Sequence, residues 1–497
     1  MQTLEIERTG LRLLPNARRV LLKPYVPGEE SLVPGASRAD QLMVRILAIP
    51  ESQVSALNTA ILQRFESRHR HFRDTLKHQF ERVSQHVPDG FTVSAERRLL
   101  IGAFFSHEYS VEAAALFNPS IVAAPDQRNL ATGALRFVMS LRAVGEGHLS
   151  SIEFRSGTID AHGTMSVDAP GTRLVGGQRS FPDVFDKVHF TAKLLELGGS
   201  NDLSSSVLSR LGAQFTVEEL EVSLTILEKS GPPHAIWFET GKIIRVLASS
   251  NYVTTFPADS DLAERVIFPA GPNETRGMED ARFVRFTAAD GGIKYYATYT
   301  AYDGFQILPQ LIETEDFVRF SVSTLSGSAA QNKGMALFPR SIDGQYVMLS
   351  RKDRENLHLS VSSDVRHWNN VTELYRPQAP WELLQIGNCG SPIETEAGWL
   401  VLTHGVGPMR RYAIGALLLD LDDPRQVIGS LSRPLLEPGD DERDGYVPNV
   451  VYTCGAIVHR GRLIVPYGFS DSGMAVAQIA SSDLLEALLS GERYGDS

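Results

Sequence analysis

Apolar positions recur at helical spacing early in the chain and at alternating spacing later, and the change falls near residue 97. In PESQVSALNTAILQRFESRHRHFRDTLKHQFERVSQHV, Val54, Leu57, Ile61, Leu62 and Phe65 form one stripe that Phe72, Leu76, Phe80 and Val83 continue. Such a stripe predicts a long helix or a helical pair, so residues 1–96 are expected to form an N-terminal region with long helices. Beyond it, five segments share one plan, a small or polar entry followed by an apolar strand, a turn and a second strand. They are FNPSIVAAPDQ with LRFVMSLRA, DARFVRF with KYYATYTAY, MALFPRSIDGQYVMLSR, SPIETEAGWLVLTHG, and CGAIVHRGRLIVPYG. The last four begin about 55 to 63 residues apart, slightly above the repeat of a propeller blade. Short strands at regular spacing with turn signals mark an all-β sandwich, barrel or propeller, and a repeat favours the propeller. FPDVFDKVHFTAKLLELGG and SSVLSRLGAQFTVEELEVSLTILEKSG read as helices inserted in the first blade, at about 180–230, and SSDLLEALLSG as a short closing helix. The expected fold is therefore all-β, with residues 97–497 as a propeller domain.

Polar residues punctuate the repeat. Asn118, Arg142, Asp280, Lys333, Arg351, His404 and Asp471 each stand at a strand end or entry in a different part of it, and in a propeller such ends converge on the central axis. Glu279 and Asp280 are adjacent acids between Arg276 and Arg282, just before an alternating run. One reading is a surface turn with neutralised charges. The other is a carboxylate pair with divided labour: neighbouring side chains on a strand point to opposite faces, so one acid enters a pocket while the other anchors an arginine behind it. His69, His71 and His78 have no second ligand cluster near them in sequence and read as solvated helix surface rather than metal ligands.

Composition then removes several function classes. The 497 residues, 42% apolar and 22% charged, are ordinary globular material. A net charge of -11 argues against a nucleic-acid partner, which clustered Lys and Arg would hold, but leaves anionic small molecules open through a local basic pocket. Two cysteines, Cys389 and Cys454, suggest a reducing compartment. The opening MQTLEIERTGLRLLPN has no apolar signal region, and no run approaches the roughly 18 apolar residues of a membrane span. A cytoplasmic protein with no membrane partner is the expectation. VGEGHLS is too short for a dinucleotide loop and no Walker-type or zinc-type spacing appears, so no cofactor and no metal are expected.

The string RGMEDARF resembles the Gly-x-Glu-Asp-Pro-Arg signature of glycoside hydrolase family 130, the β-mannoside phosphorylases and their hydrolytic relatives, which are five-bladed propellers. FNPSI, SLRAVGEGHLSSI, YYATYTAY, NKGMALFPRSIDGQYVMLSR, WELLQIGNCGSPIETEAGWLVLTHGVG, YAIGALLLDLDDP, GYVPNVVYTCG and YGFSD match in order from about residue 110 onward. The resemblance implies a five-bladed β-propeller, inorganic phosphate as co-substrate and inversion at the anomeric carbon. Asp280 would be the proton donor, acting through the 3-hydroxyl of the mannose, with Glu279 as its support, facing Arg276 or Arg282. Lys333, Arg351 and His404, with Tyr412 as hydroxyl donor, would bind phosphate, and Asn118, Arg142, Glu279 and Asp471 would hold the sugar. Trp381, Trp399, Tyr299 and Tyr302 are aromatic candidates for sugar stacking or for packing. Two positions depart from the family pattern: Gln385 stands where many phosphorylases have Lys, and Ala281 replaces the signature Pro. An inverting hydrolase would instead need a second carboxylate roughly 6.5 to 9.5 Å from the first, for which Glu382, Glu442 and Asp444 are available. A non-catalytic sugar-binding propeller would not need the acid. The N-terminal helices would pack on the propeller, cap the site or make a homo-oligomer contact, the last being favoured.

Overall fold

Short apolar strands and tight turns build five antiparallel units of four strands in the computed structural model, which describes residues 4, 6–28, 37–229 and 234–490. The first unit is Ala115–Ala123, Leu135–Val144, Ser150–Ile159 and Met165–Val167. The second is Gly277–Thr287, Ile293–Tyr302, Ile307–Thr314 and Arg319–Thr324, with Tyr252–Thr255 added at its edge. Ala336–Leu337, Tyr346–Ser350, Leu357–Ser362 and Asn370–Tyr375 make the third. The fourth runs Gln385–Asn388, Gly398–Val406, Tyr412–Leu419, Val427–Ser430. Val451–Tyr452, Arg462–Phe469 and Gly473–Ala480 begin the fifth, and its outer strand is Glu7–Leu13 from the other end of the chain. The protein is mostly β. Gly398–Val406 is buried along its whole length while Asn370–Tyr375 is largely exposed, as expected when strands run from a core outward.

Apolar faces join each unit to the next. Val138 and Phe154 of the first unit cluster with Phe283 and Tyr295 of the second. Val284 and Tyr296 cluster with Leu337 and Met348, Leu349 and Leu359 with Trp399 and Leu417, and Leu400 and Leu418 with Val465 and Tyr467. Ile464 and Val476 of the fifth then pack against Ile121 and Met139 of the first. The side-chain layers thus run around a ring.

Residues 1–96 were expected to be a helical region outside this ring, yet Glu7–Leu13 pairs with Gly473–Ala480. The helices Arg38–Leu47, Glu51–Phe65, Phe72–Val83 and Ala95–Phe104 share cores through Met43, Val54, Leu76, Val83, Leu99 and Leu100. His71 at φ 49° breaks the long stripe into two helices. His69 is not solvated surface: the break turns it inward, where it stacks on Phe72 and meets Glu108 Oε1 at 2.8 Å. The helical insertion is longer than expected, running through Lys187–Glu196, Asp202–Ser209, Val217–Lys229 and His234–Ser249, and it carries its own core around Phe190, Leu220, Trp237 and Ile244. No helix among the described residues is long and apolar enough to cross a membrane. Cys389 and Cys454 are free and buried.

Candidate active site

Three of the short polar residues whose backbone lies in a region that most L residues avoid come together at one site. Asn118, Asp280 and Asp471 have φ of 49°, 55° and 50°, and Asn and Asp are the non-glycine residues that best tolerate this region. The ladder register slips between Phe117 and Ser120 and again between Glu279 and Arg282, so the first two sit in bulges of inner strands. A bulge re-aims a side chain, and strained backbone of this kind collects at functional sites. Asp471 lies in the turn between Arg462–Phe469 and Gly473–Ala480. All three side chains line one cavity of about 210 Å³, together with Arg142, Arg282, Lys333, Arg351, His404, Arg410, Tyr412 and Tyr452.

The bulge changes the arrangement expected of the adjacent acids. Rather than facing opposite ways, both reach Arg142: Nη2 donates to Glu279 Oε1 at 2.9 Å and Nη1 to Asp280 Oδ1 at 3.3 Å. Asn118 Nδ2 donates to the same Asp280 oxygen at 2.7 Å. Glu279 also pairs with Lys333, so its partners are Arg142 and Lys333, not the sequence neighbours Arg276 and Arg282. It is buried and is not among the residues that line the cavity. Arg282 serves Asp280 differently. Its Nη1 donates to the Asp280 carbonyl at 2.8 Å, Nε to the Cys389 carbonyl at 2.7 Å and Nη2 to Tyr452 Oη at 2.7 Å, tying the second unit to the fourth and fifth.

These contacts set the protonation states. Burial would raise the Asp280 carboxyl, but the charges of Arg142, Arg282 and Lys333 and the Asn118 hydrogen bond outweigh it and hold the group down to about 2. Asp471 goes the other way, to about 6, because burial dominates and the Asp280 charge adds to it against Arg142 and Arg410. Burial, reinforced by Arg351 and Arg282, pushes His404 well below its ordinary value. His404 Nδ1 donates to the Asn388 carbonyl at 3.2 Å, leaving Nε2 to accept from Arg351 Nη1 at 3.2 Å. His404 was expected to be one of the cations. Here it is a neutral acceptor that orients the Arg351 guanidinium, whose Nε is buried without a hydrogen-bond partner among the described residues. Gly387 makes room for this pair, since a β-carbon there would meet His404 Cε1 at 2.7 Å and Arg351 Cδ at 2.9 Å. Tyr412 stacks parallel to the His404 ring.

Other expected residues lie elsewhere. Gln385 does not line the cavity, but it shares a strand face with Gly387, two residues on. Trp381, Trp399 and Tyr299 are packing residues: Trp381 fills the space beside Gly405 and Gly415, and the other two are fully buried. Tyr302 approaches Lys333, with 6.0 Å from Nζ to the ring centroid. Arg410, Val447, Val450 and Tyr452 were not anticipated at the site; GYVPNVVYTCG contained three of them, but nothing local marks which of its side chains turn inward. A larger cleft of about 730 Å³, lined by Trp237, Phe238, Lys242, Arg245 and Pro272 among others, holds none of the expected site residues. Asp353, His358 and Glu373 bring ligand atoms within 4.8 Å of one another, and none of the three lines the active-site cavity.

Comparison with known proteins bears on this cavity. The family profile described as beta-1,4-mannooligosaccharide phosphorylase matches residues 258–489. A 1,2-beta-oligomannan phosphorylase from a Thermoanaerobacter species is 34% identical over 233 residues, covering 44% of this chain and 74% of that protein. The beta-1,2-mannobiose phosphorylase of Listeria innocua is 34% identical over 230 residues, 45% of this chain and 63% of that one. The solved structure of a Listeria innocua beta-1,2-mannobiose phosphorylase in complex with beta-1,2-mannobiose aligns with 76% of this chain and 93% of its own, at 23% identity and a TM-score of 0.43. The matched segment contains Asp280, Lys333, Arg351, His404 and Asp471, whereas Asn118 and Arg142 come from the unit that precedes it. On the profile and on the identity to these relatives, the chain belongs to glycoside hydrolase family 130 and is an enzyme.

Proposed function

We propose that the chain is an inverting β-mannoside phosphorylase built as a five-bladed β-propeller, in which Asp280 is the general acid and inorganic phosphate the nucleophile. The five four-stranded units and the ring of apolar contacts between them support the propeller, its axis running through the cavity. The relatives' names supply mannose and phosphorolysis. The observation that carries the mechanism is the charge pattern of the cavity. Its lining carboxylates are Asp280 and Asp471, against Arg142, Arg282, Lys333, Arg351 and Arg410. Phosphate arrives as an anion and suits such a wall, with bidentate contact from Arg351 and a point charge from Lys333.

Glu382 and Glu442, two of the carboxylates available as a base for hydrolysis, are engaged elsewhere. Glu382 accepts from the backbone N–H groups of Gln378 and Ala379, and Glu442 from Gly439 N and Tyr467 Oη. Asp444 is exposed on a loop and outside the lining. In this reading Asn118, Arg142 and Asp471, which line the cavity, hold pyranose hydroxyls, and Glu279 pairs with Arg142 and Lys333. The surrounding cations keep Asp280 ionised, yet it must carry a proton to serve the leaving oxygen. A phosphate dianion beside Lys333 and Arg351 offsets the cations that depress it and favours the protonated form. The proton then passes to the glycosidic oxygen, through the 3-hydroxyl of the donor mannose, while a phosphate oxygen attacks C1 from the opposite face. The products are α-mannose 1-phosphate and the shortened sugar. This scheme requires no cofactor. The test is phosphorus NMR of β-mannobiose incubated with the enzyme and phosphate: α-mannose 1-phosphate should accumulate, and release of free mannose at the same rate without phosphate would overturn the proposal in favour of hydrolysis.

A further inference from the structure

Exposed side chains that this chemistry does not use stand next in the chain to residues of the cavity lining. Val447 and Arg410 line the cavity, and their chain neighbours Tyr446 and Met409 are 73% and 93% exposed. A single exposed aromatic is ordinary. Tyr446 differs because its backbone is fixed on both sides. Val447 N donates to the Ser470 carbonyl at 3.2 Å, and Gly445 packs so closely that a β-carbon there would meet the Ser470 carbonyl oxygen and Ser472 Oγ at 2.5 Å each. Those two serines flank Asp471. The Tyr446 ring is itself supported, since His148 stacks on it with centroids 5.4 Å apart and planes 25° from parallel. His148 lies in the turn Glu146–His148, which follows the strand carrying Arg142. That turn is anchored in its own right: Tyr109 Oη donates to the Glu146 carbonyl at 2.9 Å and Ser110 N to Glu146 Oε1 at 3.0 Å.

A rigid aromatic surface beside a sugar cavity, backed on one face and open on the other, fits the apolar C–H face of a pyranose; Tyr adds an apolar body with a polar tip at low entropic cost. Resting on the phosphorylase reading above, we infer that Tyr446, backed by His148, is the stacking platform for the acceptor sugar, the pyranose on the leaving-group side of the scissile bond. A place next to the lining rather than in it separates this role from the donor mannose, which occupies the cavity among Asn118, Arg142 and Asp471, and from the phosphate at Arg351 and Lys333.

The test uses the synthetic direction, with α-mannose 1-phosphate as donor and mannose or β-1,2-mannobiose as acceptor. Tyr446→Ala should raise the KM for acceptor about three- to tenfold, the size of one aromatic stacking contact, while KM for α-mannose 1-phosphate stays at the wild-type value. Tyr446→Phe should retain the wild-type acceptor KM because the ring remains. An unchanged acceptor KM in Tyr446→Ala, or a rise in the donor KM instead, would refute the platform. If the wild-type enzyme shows no phosphate-dependent reaction, the phosphorylase reading fails on its own. The platform is then judged by calorimetric titration of β-1,2-mannobiose into Asp280→Asn and into Asp280→Asn with Tyr446→Ala: equal affinities would sink it, and a three- to tenfold loss would sustain it.

Discussion

Asp280→Asn separates the chemical role of this carboxylate from its structural one. Asn is nearly isosteric and keeps a side chain suited to φ 55°, so the bulge should survive. It cannot donate a proton to a leaving oxygen. On β-mannobiose, whose leaving group needs that proton, kcat/KM should fall about 10²- to 10⁴-fold, the usual contribution of a general acid, or about 3 to 5 kcal/mol of transition-state stabilisation. A dinitrophenyl β-mannoside leaves without protonation and should lose about tenfold at most. The same substitution has a stability consequence of definite sign. The folded carboxyl lies near 2 against an ordinary value of 3.8, so the charged form contributes about 2 kcal/mol to folding. Because the folded value is the lower one, that contribution is fully present above about pH 4 and is lost as pH falls through 2. Asp280→Asn should therefore melt below the wild type at pH 5, followed by calorimetry in parallel with the kinetics, and the interval should narrow toward pH 8 because the Asp280 charge also makes ionisation of Asp471 costly in the wild type. Equal losses on both mannosides would refute proton donation, and superimposable melting curves would refute the claim that Arg142, Arg282 and Lys333 stabilise the anion.

Arg351→Ala removes a charged contact to the anion alone, so KM for phosphate should rise about 10- to 100-fold with the mannoside KM unchanged; a rise in both would place Arg351 in the sugar site. Gln385→Lys restores a cation on the strand face shared with Gly387 and should lower KM for phosphate several-fold, an effect on the mannoside instead assigning Gln385 to sugar binding. Asp471→Asn should have the opposite stability sign to Asp280→Asn. Its folded value is raised, from 3.8 to about 6, so the wild type loses up to about 3 kcal/mol as pH climbs through 6, and the variant should gain on it from pH 4 to 8 in thermal melts. Under alkaline conditions, where free phosphate is already the dianion, phosphate binding should take up protons as Asp280 becomes protonated, seen as a dependence of the calorimetric heat on buffer ionisation enthalpy; proton release there would contradict the scheme.

Local pattern determined a good deal of this protein. Alternation and turn residues placed the repeated strands from Phe117 onward, the 3.6-residue stripe placed helices around Val54 and Leu76, and RGMEDARF with its companion strings supplied the family. These features are legible because a strand or helix face records in its own residues whether it is buried. What buries it is not written there. Glu7–Leu13 has the alternation of an edge strand, but only the assembled fold brings it to Gly473–Ala480, at the far end of the chain. His69 lies on a stretch that reads as exposed helix and is buried because the chain breaks at His71. The site shows the same division. Asn118, Asp280 and Asp471 could be named from their motifs, yet the slip in register that turns both Glu279 and Asp280 toward Arg142 arises from pairing with a neighbouring strand. Protonation states belong wholly to tertiary structure: Asp280 is held down, Asp471 lifted and His404 kept neutral by desolvation and by charges that arrive from other units, and Coulomb energies depend on distances in space rather than separations along the chain.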